Sequence, residues 1–117
     1  MGQLKYDIDY YEISVELANS DEGTRSNLYA MITLFSDGKN VAELSFFRDD
    51  SYTAKKYISG HQLNVNLRSD KYADTVDLLR NEKPIRLVVW YEGELEQARR
   101  IEARLATAEL EPVGEGE

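Results

Sequence analysis

The chain contains no cysteine, which excludes disulfides, thiolate metal ligands and cysteine nucleophiles together. Its seven glycines are scattered, and neither the Gly-x-x-x-x-Gly-Lys nor the Gly-x-Gly-x-x-Gly phosphate-binding pattern occurs. No stretch approaches the roughly 20 apolar residues of a membrane-spanning helix. The N-terminus lacks the basic flank and apolar run of a signal peptide. We therefore expect a soluble, cytoplasmic protein with no membrane partner.

Positive charge is scarce in the first half of the chain. The net charge is −8, and residues 1–50 carry four Lys or Arg against ten Asp or Glu, whereas residues 51–110 carry ten against nine. An acidic chain is a poor ligand for phosphate backbones. Binding of single-stranded nucleic acid is therefore only an alternative, and it would use the basic side chains of the less acidic C-terminal half: Lys55, Lys56, Arg68, Arg86, Arg99, Arg100 and Arg104.

Two alternating patterns of opposite phase meet in the first seventeen residues. Apolar side chains occupy even positions at Leu4, Tyr6 and Ile8, and then odd positions from Tyr11 onward. Side chains of a strand alternate between faces, so the change of phase moves the apolar set to the other side. We expect either a β-bulge near Tyr10–Tyr11 or a bend that carries the chain into a second sheet.

A meander of strands follows a turn-rich loop at Asn19–Asn27. Leu28–Phe35 is apolar on both faces and predicts a central strand, Asp37-Gly38 predicts a hairpin turn, and Val41–Phe47 predicts the return strand. Residues 48–60 hold either a short edge strand at Tyr52–Ile58 or a mobile loop.

The remainder of the chain predicts a strand, a helix and two further elements. Leu63, Val65 and Leu67 alternate with polar residues, as in a half-buried strand. A helix is expected over residues 69–83, with Ser69 as N-cap and Pro84 ending it. Its expected apolar stripe comprises Tyr72, Ala73, Val76 and Leu79.

The C-terminal segments offer one clear strand and one ambiguous element. Ile85–Tyr91 is a strong strand that needs two neighbours. Residues 94–110 have a helical composition, yet Ile101, Ala103 and Leu105 alternate with charged residues. We favour a strand paired with Ile85–Tyr91 and keep a second helix as the alternative.

These elements predict an α+β fold with one domain over residues 1–110. One curved, mainly antiparallel sheet of five to six strands would pack against the helix. We expect residues 111–117 to form an acidic, flexible tail whose deletion should leave stability nearly unchanged. The predicted core comprises Leu28, Ile32, Leu34, Leu44, Leu63, Val65, Leu67, Val76, Leu79, Leu87 and Val89.

Residues with catalytic or metal-binding chemistry are sparse. His61 is the only histidine and stands at the head of a strand, where we expect it to be exposed or bonded to backbone. Asp49-Asp50 lacks the further oxygen ligands at set spacing that Ca²⁺ requires, so we expect a solvated loop. Glu92, Glu94 and Glu96 would lie on one side of an extended segment, and we expect them to solubilise a turn.

Tyrosine is the one over-represented type, with eight in the chain. It combines an apolar ring with a polar tip and is favoured at recognition surfaces. Tyr52 and Tyr57, which flank Lys55-Lys56, are the best candidates for such a role. We interpret the chain as a non-catalytic interaction module without cofactor or metal that binds a protein partner or itself. An enzyme site assembled from scattered carboxylates and His61 is the other alternative.

Self-association is expected from the first strand, which should outrun its neighbour and expose unpaired backbone groups. A closed homodimer would bury its apolar face. The candidate partner surface comprises Leu4, Tyr6, Ile8, Tyr10, Tyr52 and Tyr57.

Overall fold

A computed structural model of the chain describes residues 2–18, 28–48, 52–82 and 84–107. These residues form two mostly antiparallel sheets and one α-helix, an α+β fold. The three-stranded sheet has the order β1-β7-β8, and the five-stranded sheet has the order β2-β3-β4-β6-β5. The elements are β1 (Gly2–Asp7), β2 (Tyr10–Val15), β3 (Leu28–Ser36), β4 (Lys39–Phe47), β5 (Lys56–Ser59), β6 (Gln62–Arg68), α1 (Tyr72–Asn81), β7 (Ile85–Glu92) and β8 (Arg99–Thr107).

The N-terminal segment crosses from one sheet to the other at two residues. The N–H of Ile8 donates to the carbonyl of Ile85 in the three-stranded sheet, and the N–H of Asp9 donates to the carbonyl of Phe35 in the five-stranded sheet, both at 2.9 Å. The phase change in the sequence marks this bend. The expected bulge at Tyr10–Tyr11 is wrong, and the alternative, a bend into a second sheet, is confirmed.

The meander of β2, β3 and β4 is confirmed. Its β3–β4 turn places Asp37 and Gly38 at φ of 53° and 76°, the two positive values that a tight type I′ turn needs. The Asp9 carboxylate accepts a hydrogen bond from the N–H of Asp37, which ties the sheet-to-sheet bend to this turn.

The edge strand expected within 48–60 is confirmed in a shorter form. β5 covers four residues and forms a hairpin with β6, in which Ser59 pairs with Gln62. β6 then runs parallel to β4, with Leu44 opposite Val65. This parallel pair was not predicted. After β4 the chain first forms β5 at the edge of the sheet, and β6 then returns to fill the position between β5 and β4. Asp49, Asp50 and Ser51 lie outside the described residues.

The helix begins later and differently than expected. Ser69–Lys71 form a 3-10 turn, and α1 follows from Tyr72. The prediction of Ser69 as N-cap is wrong: Ser69 lies inside the 3-10 turn, whose N-cap is the extended Arg68, and Lys71 is the N-cap of α1. Ala73, expected on the apolar stripe, is exposed, and Leu78 packs against the core instead. Among the residues described, no helix has the length and apolar character needed to cross a bilayer.

The ambiguous C-terminal segment is a strand. β8 pairs antiparallel with β7 from Thr107 opposite Ile85 to Arg99 opposite Glu92. The ladder shifts register near Arg100, whose φ is +49°. β7 therefore has the two neighbours that its apolar sequence required.

One hydrophobic cluster joins the inner faces of both sheets and α1. All predicted core residues are buried except two, Val65 and Leu67, which are half-buried. The loop expected at Asn19–Asn27 and the tail expected at 111–117 lie outside the described residues.

Candidate functional site

The half-buried side of β6 opens into an apolar groove, which we call the β8 groove. It has a volume of about 630 Å³ and runs between α1, the inner face of the five-stranded sheet and β8. Its apolar lining comes from five elements: Leu44, Leu63, Val65, Leu67, Leu78, Leu87, Ala103 and Leu105. Val65 and Leu67 escape full burial because nothing in the described part of the chain fills this space.

The rim of the β8 groove carries charges of both signs. Its basic side chains are those of Lys56, Lys71 and Arg104, and its acidic side chains are those of Asp74 and Glu102. An apolar lining with a charged rim is typical of sites that bind other molecules, whereas a catalytic site needs convergent reactive groups.

The backbone edge of β8 bounds the groove. Glu102 and Arg104 also border a depression on the outer face of the sheet, beside Trp90. Ala103 and Leu105 alternate with them on the inner face. Residues of both faces line one groove only where that groove follows the edge of their strand.

The hydrogen bonding between β1 and β7 shows which backbone groups of β8 point away from β7. Because Ile8 donates to the carbonyl of Ile85, Ile85 presents its backbone groups to β1. Successive residues of an antiparallel strand point these groups to opposite sides. Residues 86, 88 and 90 therefore face β8, where they lie opposite residues 106, 104 and 102.

It follows that Ala103 and Leu105 direct their N–H and C=O groups away from β7. No other described strand pairs with β8 on that side. One contact agrees with this assignment: the Nζ of Lys56 reaches the carbonyl of Ile101 from outside the sheet, at 2.8 Å. The same contact ties the edge of β5 to the edge of β8.

The first three candidate surface residues lie inward. Leu4, Tyr6 and Ile8 are half-buried and pack against the core. The expectation that β1 outruns its neighbour is wrong, since every residue from Gly2 to Asp7 pairs with β7. The Tyr6 hydroxyl donates to the carbonyl of His61 at 3.0 Å. Burial, with a smaller contribution from neighbouring Tyr91, raises the pKa of Tyr6 above its ordinary value.

The remaining candidate tyrosines do not share a surface. Tyr10 is 52% exposed on β2 and stacks on Phe35 at 4.8 Å between ring centroids. Tyr57 is 44% exposed on β5, at the opposite edge of the five-stranded sheet, with Lys55 Nζ 5.1 Å from its ring centroid. The guanidinium carbon of Arg68 lies 4.5 Å from the ring centroid of Tyr52.

The candidate acid–base residues are dispersed. His61 is exposed in the β5–β6 turn. Glu96 lies in a 3-10 turn at Leu95–Gln97 and Glu94 is its N-cap residue, so the expected turn is present and their carboxylates do not form an extended row with that of Glu92. Within the ranges described, no group of three or more His, Asp or Glu side chains could hold a metal ion.

Several basic residues of the C-terminal half have partners within the chain. Arg86 pairs with Asp7 at 3.0 Å, and Arg100 with Glu92 at 3.5 Å. The guanidinium of Arg104 lies 5.5 Å from the ring centroid of Trp90.

Comparisons with family models, curated proteins and solved structures found no match for this chain.

Sequence reasoning missed the β8 groove. A signal was present in residues 101–105, where Ala103 interrupts the apolar alternation of a strand at the edge of a sheet. A small residue at the centre of such a strand leaves room beside it.

Proposed function

We propose that the protein is a non-catalytic interaction module that binds an extended polypeptide strand along the outer edge of β8. The incoming strand would lay alternate apolar side chains into the β8 groove. A cytoplasmic location, consistent with a cysteine-free chain, is part of this proposal.

One observation carries the proposal: the outward backbone groups of Ala103 and Leu105 stand beside an apolar groove. An exposed strand edge is a template for another strand, and natural proteins usually blunt it. Addition of a strand gains main-chain hydrogen bonds, and pockets for every second side chain provide selectivity.

The charges of β8 define the chemistry of the bound strand. Glu102 and Arg104 lie on the outer face, where a cross-strand neighbour sits about 4.5–5.5 Å away between Cβ atoms. A basic residue opposite Glu102 and an acidic residue opposite Arg104 would be favoured. The expected ligand therefore alternates apolar residues with charges of both signs.

Trp90 makes a direct binding experiment possible, because it is the only tryptophan and lies on the outer face beside Arg104. A synthetic peptide with leucine at alternate positions and Glu and Arg between them should change its fluorescence saturably. A peptide of the same composition in shuffled order is the matched ligand control.

The matched protein control is Ala103→Pro, which removes an N–H that faces away from β7. This variant should keep its fold and lose the peptide. Equal affinity of both peptides, or equal binding by the proline variant, would contradict the proposal.

A further inference from the structure

We propose that the strand which fits this edge best is β8 of a second copy, in antiparallel pairing about a two-fold axis at Ala103. The inference rests on the proposed function, strand addition at the β8 edge, and names its partner. It would join two three-stranded sheets into one continuous sheet of a homodimer.

The sequence of β8 is self-complementary in this register. With Ala103 opposite Ala103 of the partner subunit, Glu102 lies opposite the partner's Arg104, and Arg104 lies opposite the partner's Glu102. Both opposite-charge pairs fall on the outer face of the sheet. On the inner face Ile101 lies opposite the partner's Leu105, so that apolar residues meet apolar residues.

The hydrogen-bonding pattern agrees with that register. Ala103 points its N–H and C=O outward and can exchange both bonds with its equivalent across the axis. The neighbouring Glu102 and Arg104 then occupy non-hydrogen-bonded positions, where opposite Cα atoms are closest, at about 4.5 Å. The two ion pairs therefore form where cross-strand side chains approach each other most.

Axes at Glu102, Arg104 and Ile101 are disfavoured by charge or by backbone. An axis at Glu102 would place the Glu102 carboxylates of the two copies opposite each other. An axis at Arg104 would do the same with the two Arg104 guanidinium groups. Like charges directly opposite are destabilising. An axis at Ile101 would bring Arg100, whose φ of +49° interrupts the extended strand, into the pairing directly beside the axis.

The charges that this register uses are available. In the described part of the chain, the salt bridges of the three-stranded sheet involve Arg86 with Asp7 and Arg100 with Glu92, and neither includes Glu102 or Arg104. Arg104 contacts the ring of Trp90 beside the same depression on the outer face, so this contact does not involve the backbone groups of the β8 edge.

Charge reversal tests the register. Sedimentation equilibrium should give a mass of twice 13.4 kDa for the full chain at sufficient concentration. Glu102→Arg and Arg104→Glu each convert both ion pairs into like-charge pairs, and each should raise the dimer dissociation constant by about tenfold or more. The double swap Glu102→Arg/Arg104→Glu restores both pairs and should restore dimerisation.

Mixing the two single variants provides a second arm. One variant then carries two arginines and the other two glutamates at these positions, so their heterodimer should form in preference to either homodimer. Circular dichroism of each variant checks that the subunit remains folded.

A cysteine placed on the axis tests the geometry independently, because the native chain has none to interfere. Hydrogen-bonded antiparallel pairs have Cα atoms about 5.5 Å apart, within the disulfide range of about 4.4–6.8 Å. Ala103→Cys should cross-link copies under mild oxidation. The exposed Ala73→Cys on α1 is the matched control and should not.

The outcomes separate this inference from the proposed function. A monomer at millimolar concentration that still binds the alternating peptide overturns the homodimer and leaves strand addition standing. A dimer that the single reversals do not weaken, or that the double swap does not rescue, also overturns it. A chain that neither dimerises nor binds the peptide overturns both.

Discussion

β1 and β8 flank β7 as the two outer strands of the three-stranded sheet, yet their edges face different surroundings. β1 continues directly into the second sheet, and its apolar face packs on the core. Its Asp7 is paired with Arg86. β8 instead borders the β8 groove, and Glu102 and Arg104 have no salt bridge to each other or to the rest of the described chain.

The two outer strands differ in how far the rest of the chain covers their apolar faces and pairs their charged side chains. At β1 the chain covers its own apolar face and neutralises its own charge. At β8 the apolar face is only partly covered, and Glu102 and Arg104 form no salt bridge within the described residues. Both strands have alternating sequences, so alternation alone does not reveal which edge is available.

The largest expected effect comes from one row of side chains across the sheet, where Leu87 of β7 lies between Tyr6 and Leu105. Leu87 is 2% exposed, so Leu87→Ala should lower the free energy of unfolding by about 2–5 kcal/mol. Leu105→Ala, at the half-open end of the row, should cost clearly less. Urea denaturation of dilute protein measures both, and equal losses would show that the groove side is packed as closely as the core.

Proline substitutions on β8 should lower stability by different amounts, depending on whether the lost N–H points toward β7 or away from it. Arg104→Pro removes an N–H bonded to β7 and leaves the facing carbonyl without its donor, which should cost about 1–3 kcal/mol. Ala103→Pro removes an outward N–H and should cost much less. Thermal unfolding compares the two, and the reverse order would invalidate the assignment of the free edge.

On the β1 side, Tyr6→Phe tests a single hydrogen bond and its pH dependence. Loss of the bond to the carbonyl of His61 should cost about 0.5–1.5 kcal/mol at neutral pH. The pKa of Tyr6 is raised by burial and by Tyr91, so folding favours the protonated phenol.

The stability that this shift contributes is complete below about pH 10, the ordinary tyrosine pKa, and is lost as the pH rises through the higher folded value. Tyr6→Phe should therefore flatten the alkaline decline in stability. An unchanged slope between the two proteins would place the titrating group elsewhere.

The smallest effect is expected at the exposed pair of Asp7 and Arg86, whose side chains are 69% and 37% exposed. Asp7→Asn should lower stability by less than about 1 kcal/mol, and added salt should reduce the difference further. A loss well above this value would mean that β1 depends on the pair to remain in the sheet.

Local patterns predicted the elements and some of their neighbours. Alternation over Ile101, Ala103 and Leu105 identified β8 against a helical composition, and Asp37-Gly38 identified the hairpin. The phase change after Ile8 located the passage between sheets to within two residues. Each of these signals depends on side chains that are close together in the sequence.

Properties set by the distance between sheets were not predictable. Val65 and Leu67 have the alternation of core residues, but the space beside β8 leaves them half-buried. The same reasoning assigned Leu4, Tyr6 and Ile8 to one face of a strand but could not show that the core covers that face. The parallel pairing of β4 with β6 depends on the path of the intervening chain.

The pairing of β1 with β7 has a consequence for synthesis of the chain. Residues 2–7 are synthesised well before their partners, which are residues 86–91. The meander of β2, β3 and β4 can assemble while the ribosome is still adding residues, whereas the three-stranded sheet must wait. During that interval the apolar face of β1 has no partner strand, and such long-range pairing slows folding. The nascent chain is therefore most exposed to misassociation at its first strand, whose apolar face packs against the core once folding is complete.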